Sequence, residues 1–277
     1  MTFRWGMPWT NIYVGRDAAL RRPCPSGPNG FGIRTLFRRL TLRSATRTAQ
    51  RAVPTFFLRA VVLWGFIGFL SDAPAQTTNH DYAKWEGEIS AFERSDATNP
   101  PPKGGFVFIG SSTIRFWTTL AQDYPGQPVI NRGFGGSEIV DSTHFADRIL
   151  FPYEPRKVFL RAGGNDLWAG KSVKQVFADF KEFAETVHAR LPAAKIYYIS
   201  WSPSVARWRQ HDKEKELNTL AAGYIANKPW LQYIETYDLP LGSDGQPLAI
   251  LFRADGLHFN EAGYRLLVER VRPFVGP

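Results

Sequence analysis

The 277-residue chain has one cysteine, Cys24, so no internal disulfide can brace the fold. It has no His-Glu-x-x-His segment and no clustered Cys and His at ligand spacing, so no catalytic metal is expected. It has no Walker motif and no Gly-x-Gly-x-x-Gly turn behind a strand, so no cofactor of either kind is expected. Acidic residues are scarce at the N-terminus. The first 75 residues hold eleven arginines, no lysine, and only Asp17 and Asp72 as acids. The remaining 202 residues carry 23 basic and 23 acidic side chains. The net charge of +9 therefore belongs to the leader. A nucleic-acid partner is not expected, because it would need a basic patch on the folded domain.

The leader reads as a targeting segment. Residues 51–75 begin at Arg51, carry Arg59, run through apolar Ala60–Leu70, and end in Ala73-Pro74-Ala75. A positive flank, a short apolar core and a small-x-small site are the parts of a secretory signal. The apolar run is eleven residues long, against the roughly 20 needed to span a bilayer. Cleavage between Ala75 and Gln76 is expected, giving a secreted or periplasmic chain with no membrane partner; an uncleaved N-terminal anchor is the alternative. Residues 1–50 are rich in Arg, Pro and Gly without periodicity. They are expected to be disordered, or to precede a true start near Val53 or just upstream. Residues 76–277 suffice for one domain with a substantial core.

Five apolar runs stand out there: 106–110, 128–133, 157–163, 195–201 and 231–236. Near-continuous apolar runs mark strands buried on both faces, as in a parallel sheet. Helical patterns lie at 81–95, 171–191, 209–228 and 260–274. In 171–191, Val173, Phe177, Phe180, Ala184 and Val187 share one face. The alternation predicts an α/β fold, a three-layer doubly wound sandwich around a five-stranded parallel sheet. Ligands in such folds bind at the carboxyl ends of the strands.

Those ends carry four groups of interest. The first strand runs into Gly110-Ser111-Ser112. The second ends in NRGFGGSE (131–138), the third in GGND (163–166), and ADGLHFNEAGY (254–264) follows the fifth. Each has an ordinary reading: Ser112 as a helix cap, the glycines as turns, His258 as a surface histidine. Together they supply what ester hydrolysis needs. Ser112 is the candidate nucleophile, His258 the base, and Asp255 the group that holds the imidazole tautomer. The amides of Ser112 and Gly136 and the side chain of Asn165 are candidate oxyanion donors. His80, His144, His188 and His211 lack this context and are expected at the surface or in packing.

Ser112, Gly136, Asn165 and His258 occur in the order of the four blocks of the SGNH hydrolases, or GDSL lipases/esterases, which the chain resembles over about residues 104–272. The resemblance is greatest to secreted bacterial acylhydrolases and implies a flavodoxin-like fold. The family's Gly-Asp-Ser block reads Gly110-Ser111-Ser112 here, so whatever the Asp supports in relatives is altered. The expected partner is a small-molecule ester. The short chain leaves no room for a long apolar lid, and Trp168, Trp201 and Trp208, with Arg207, fall where the site should open. Short acyl groups on a polar or carbohydrate alcohol are the expected substrate. Lysophospholipid or thioester hydrolysis, or carbohydrate binding without catalysis, are the alternatives.

Overall fold

The computed structural model describes residues 80–276. The leader, its signal and its cleavage site lie outside the described residues. Five strands form one parallel sheet: β1 Phe106–Gly110, β2 Val129–Gly133, β3 Lys157–Arg161, β4 Lys195–Ile199 and β5 Leu231–Ile234. Their order is β2-β1-β3-β4-β5. The strands are those predicted: β1 has the expected bounds, and the other four are shorter by one or two residues. β3 stops at Arg161 because Gly163, at φ 119°, turns the chain into a helix.

Nine α-helices cover the sheet among the described residues: α1 Glu86–Thr98, α2 Ser112–Arg115, α3 Leu120–Asp123, α4 Ile139–His144, α5 Ala146–Ile149, α6 Gly164–Trp168, α7 Val173–Arg190, α8 His211–Ile225 and α9 Glu261–Val275. Alternate residues of each strand face opposite layers. Val107, Ile109, Val158, Leu160, Ile196 and Tyr198 pack with α1, α4, α5, α7 and α8. Phe106, Phe108, Phe159, Tyr197 and Ile199 pack with α2, α3 and α9. Phe108, Phe159 and Tyr197 are register neighbours, and their rings stack across three strands with centroids 4.3 and 4.5 Å apart. Such cross-strand aromatic pairs add to the stability of a sheet.

Two helical predictions are refined. The segment at 81–95 is a 3-10 turn, Tyr82–Trp85, followed by α1. On α7 the buried stripe runs through Val173, Val176, Phe180, Phe183, Ala184 and Val187. Phe177 sits at its edge, half-buried against Tyr224. No helix among the described residues is long and apolar enough to cross a membrane.

The strand order reverses beside β1, and the loops leaving β1 and β3 diverge to opposite sides there. Doubly wound sheets open their ligand crevice at that point. β1 delivers Ser112 to it and β3 delivers Asn165.

Candidate active site

β1 ends at Gly110, and Ser111 is the N-cap of one-turn α2. Ser111 is 1 % exposed, its N–H donates to the carbonyl of Arg161 (3.1 Å), and its Oγ has no partner among the described residues. Ser112, by contrast, lines an open pocket. The turn that carries it is pinned from two sides. Asn131 on β2 donates through Nδ2 to the carbonyls of Ile114 (2.7 Å) and Trp117 (3.2 Å), and Tyr264 on α9 donates to the carbonyl of Thr113 (2.8 Å). A four-residue helix has little macrodipole. What the turn offers an anion is its free N–H groups.

His258 and Asp255 come from the loop before α9. His258 Nε2 lies 3.0 Å from Ser112 Oγ, and His258 Nδ1 lies 2.7 Å from Asp255 Oδ2. Asp255 Oδ1 accepts the N–H groups of Leu257 (2.8 Å) and His258 (3.0 Å), which closes the tight turn between the two residues. Partial burial pushes the Asp255 carboxyl up, but the His258 ring and these two N–H groups outweigh it and hold it down to about 2. Phe116 meets the His258 ring edge to face, with centroids 4.9 Å apart.

Three candidate donors line the same pocket. No acceptor among the described residues takes the N–H of Ser112 or of Gly136. Gly136 holds φ 78°, and a Cβ there would come within 3.2 Å of Trp85. The GGND segment forms α6, which carries Asn165. One hydrogen of Asn165 Nδ2 goes to the carbonyl of Ser137 (2.9 Å), which leaves the other free, and Oδ1 accepts from Arg207 Nη1 (2.8 Å). Gly164 must be glycine because the Trp201 ring lies against it, 2.1 Å from where a Cβ would stand.

The pocket holds about 240 Å³ and is lined by Ser112, Arg115, Phe116, Gly135, Gly136, Asn165, Arg207, Leu257 and His258. A larger cavity of about 750 Å³ lies over α9; it shares Phe116 with the pocket but contains neither Ser112 nor His258. The sequence-predicted Ser112, Gly136, Asn165, His258 and Asp255 are thus brought together. The four tentative substrate contacts divide. Arg207 lines the pocket. Trp201 is buried under Gly164 and beside Arg161, so its expected role as a contact is corrected to packing. Trp208 stacks on His211 at 4.0 Å, outside the pocket lining. Trp168 is 41 % exposed, and the guanidinium groups of Arg207 and Arg209 lie over its ring at 4.8 and 4.1 Å. Arg115, Phe116, Gly135 and Leu257 were missed. Arg115 stands one helical turn beyond Ser112, and that spacing was available in the sequence. Of the other histidines, His144 stacks on Tyr82 and His188 on Trp230, while His80 pairs with the buried Asp141, a contact that was not expected.

Buried charge supports the site from behind. Glu214 on α8 is fully buried; it accepts from Gln210 (2.7 Å), which also reaches the Gly164 carbonyl (3.3 Å). Burial pushes the Glu214 carboxyl up to about 7 and that of Asp166, on α6, also to about 7. A carboxyl raised in the fold binds its proton there at pH values where the unfolded chain has released it. The stability that these two groups contribute is therefore greatest below the ordinary carboxyl range and is lost as pH rises through about 7. The expected result is a melting temperature lower at pH 8 than at pH 5.5. Glu214→Gln should shrink that difference by about 3–8 °C in a thermal melt, and an unchanged difference would exclude Glu214 as a source.

The comparisons agree with this geometry. The family model for GDSL-like lipases and acylhydrolases matches residues 109–266. No curated protein matches the chain. Among solved structures, a Streptococcus pneumonia protein provisionally named a platelet activating factor aligns with TM-score 0.63 and 20 % identity, covering 70 % of this chain and 94 % of its own. A GDSL-like lipase from Bacteroides thetaiotaomicron aligns with TM-score 0.55 and 20 % identity over 70 % of this chain and 97 % of that one. A mutant of an acetyl-xylooligosaccharide esterase from Geobacillus stearmophilus aligns with TM-score 0.51 and 13 % identity over 64 % and 96 %. At these identities the likeness shows the fold. With the family match spanning more than half of the sequence, the chain belongs to the GDSL-like lipase/acylhydrolase family of SGNH hydrolases, enzymes that hydrolyse ester bonds.

Proposed function

We propose that the protein is a secreted serine esterase that removes short acyl groups from a polar or carbohydrate alcohol through an acyl-enzyme on Ser112. The observation that carries this reading is the unbroken chain from Ser112 Oγ to His258 Nε2 (3.0 Å) and from His258 Nδ1 to Asp255 (2.7 Å), with three free N–H donors in the same pocket lining. Ser112 Oγ attacks the carbonyl carbon while His258 Nε2 takes its proton. The oxyanion accepts from the N–H groups of Ser112 and Gly136 and from Asn165 Nδ2. Collapse breaks the bond to the alcohol oxygen, which leaves with the proton held by His258. A water then repeats the sequence: His258 takes its proton, hydroxide adds to the acyl carbon, and Ser112 is regenerated as the acid departs. Asp255 holds the proton on Nδ1 throughout, so that Nε2 stays the acceptor. A non-catalytic binder would have no use for this arrangement.

The alcohol and the acyl length rest on the small pocket of about 240 Å³ and on a fold neighbour that acts on acetylated xylooligosaccharides. The experiment is an ester panel of two to twelve acyl carbons on the purified chain. The specificity constant is expected to fall beyond about six carbons, since added methylenes find no pocket and gain none of the roughly 0.8 kcal/mol each that burial provides. A constant that keeps rising to twelve carbons favours the lysophospholipid or thioester reading instead.

Export is the second part of the proposal, and it rests on the sequence of residues 51–75. Expressed in a bacterial host, the protein is expected outside the cytoplasm with its N-terminus at Gln76. N-terminal sequencing of an exported chain that retains residues 51–75 would support an anchor.

A further inference from the structure

The pocket has an electrostatic bias that the hydrolysis of a neutral ester does not use. Among its lining residues are two arginines, Arg115 and Arg207, and no carboxylate. Arg115 makes only a loose ion pair, 3.4 Å from Glu88 at the rim, with both side chains substantially exposed. Arg207 is different. It is half-buried and has no carboxylate partner among the described residues. Its one hydrogen bond there runs to the neutral Asn165 Oδ1, and the rest of its fork meets no acceptor among the described residues. Its guanidinium carbon lies 4.8 Å from the centre of the Trp168 ring, and that of Arg209 lies 4.1 Å from the same ring centre. Arg209 likewise has no ion pair among the described residues. Withdrawing a guanidinium from water costs free energy; burial works against the charge on Arg207, and the one carboxyl that favours it, buried Glu214, makes no ion pair with it among the described residues. Such an arrangement persists where something else supplies the anion.

We propose that the substrate supplies it: the physiological ester carries a carboxylate or phosphate group, and Arg207, with Arg115 in the same pocket lining and Arg209 beside it over Trp168, receives that group while Ser112 faces the ester carbonyl. This rests on the esterase reading above and narrows its substrate class. The planar fork of Arg207 suits bidentate capture of an oxyanion. The cluster of weakly compensated positive charge would also draw anionic esters toward the pocket at low ionic strength. Asn165 links the two functions, since one end of its amide touches Arg207 and the other faces the expected oxyanion.

The test compares kcat/KM for matched charged and neutral esters on the full chain and on Arg207→Gln and Arg207→Lys. One pair places the charge on the alcohol, 4-acetoxybenzoate against 4-acetoxybenzamide. A second places it on the acyl group, 4-nitrophenyl hydrogen succinate against 4-nitrophenyl 4-oxopentanoate. A phosphate arm adds 4-acetoxyphenyl phosphate. The wild-type chain is expected to prefer the charged member of at least one pair by about 10–100-fold at low salt, the range of a charge-assisted hydrogen bond. Arg207→Gln should bring that ratio close to one, and Arg207→Lys should retain part of it. Turnover of the neutral esters by both variants reports that they fold. If Arg207 only positions Asn165, Arg207→Gln lowers both members of each pair equally, and the proposal is overturned. It is also overturned if the wild-type chain turns over neutral esters and prefers no charged one. A chain that cleaves none of these esters sinks the esterase reading, and this proposal with it.

Discussion

Ser112→Ala is expected to lower kcat/KM toward a short-chain ester by about 10⁴-fold or more while leaving the melting temperature within a degree or two. The size follows from what the hydroxyl does. It is the atom that bonds to the acyl carbon, and no neighbouring group can take its place at 3.0 Å from His258 Nε2. The small structural cost follows from its surroundings, for Ser112 Oγ meets only that imidazole and open pocket. Some rate over water should remain, because the N–H groups of Ser112 and Gly136 and the Asn165 amide survive the substitution. Ser111→Ala makes the contrast. Its buried Oγ bonds to nothing among the described residues, so its loss should leave most of the activity. Initial rates on the two variants separate these outcomes, and an equal loss in both would reassign the nucleophile.

Asp255→Asn should cost about 10³- to 10⁴-fold in kcat, and the loop geometry says why. Oδ1 of Asp255 accepts two backbone N–H groups, from Leu257 and His258. An asparagine can keep both bonds only by placing its own oxygen there, which points its NH₂ at His258 Nδ1. A donor in that position favours the tautomer protonated on Nε2, which cannot accept the Ser112 proton. The turn itself is preserved, so the melting temperature should hardly move. Asp255→Ala loses the turn bonds as well, and is expected to lower both rate and stability. Thermal melts alongside initial rates distinguish the two variants; an Asn variant as active as the parent would remove Asp255 from the mechanism.

Much of this architecture was legible in the sequence because it depends on short-range pattern. Residues such as Val107 and Phe108 are apolar on both faces of β1, and that continuous run identifies a strand covered by helices on either side. The blocks at strand ends were legible for a related reason. A parallel sheet carries every carboxyl end to one edge, so Ser112, Gly136 and Asn165 had to be near one another once their strands were recognised. Other features depend on contacts that no local pattern encodes. Arg161 looked like an ordinary member of an apolar run. It is 2 % exposed, and its two Nη groups donate to the Ser200 carbonyl and to the hydroxyls of Thr236 and Ser202, which come from β4 and β5 connections, while its Nε meets no acceptor among the described residues. Trp201 stood at a strand end and suggested a substrate contact, yet Gly164, 37 positions earlier, leaves a gap that only its ring fills. Arg207 and Asn165 are 42 positions apart, and their hydrogen bond is a product of the fold.

The most direct test of the central claim is to treat the purified chain with a fluorophosphonate and map the adduct by peptide mass spectrometry. The account predicts one adduct, on Ser112, with labelling lost in Ser112→Ala and strongly slowed in Asp255→Asn. An adduct on Ser111, or an intact and folded chain that takes up no label, would contradict it.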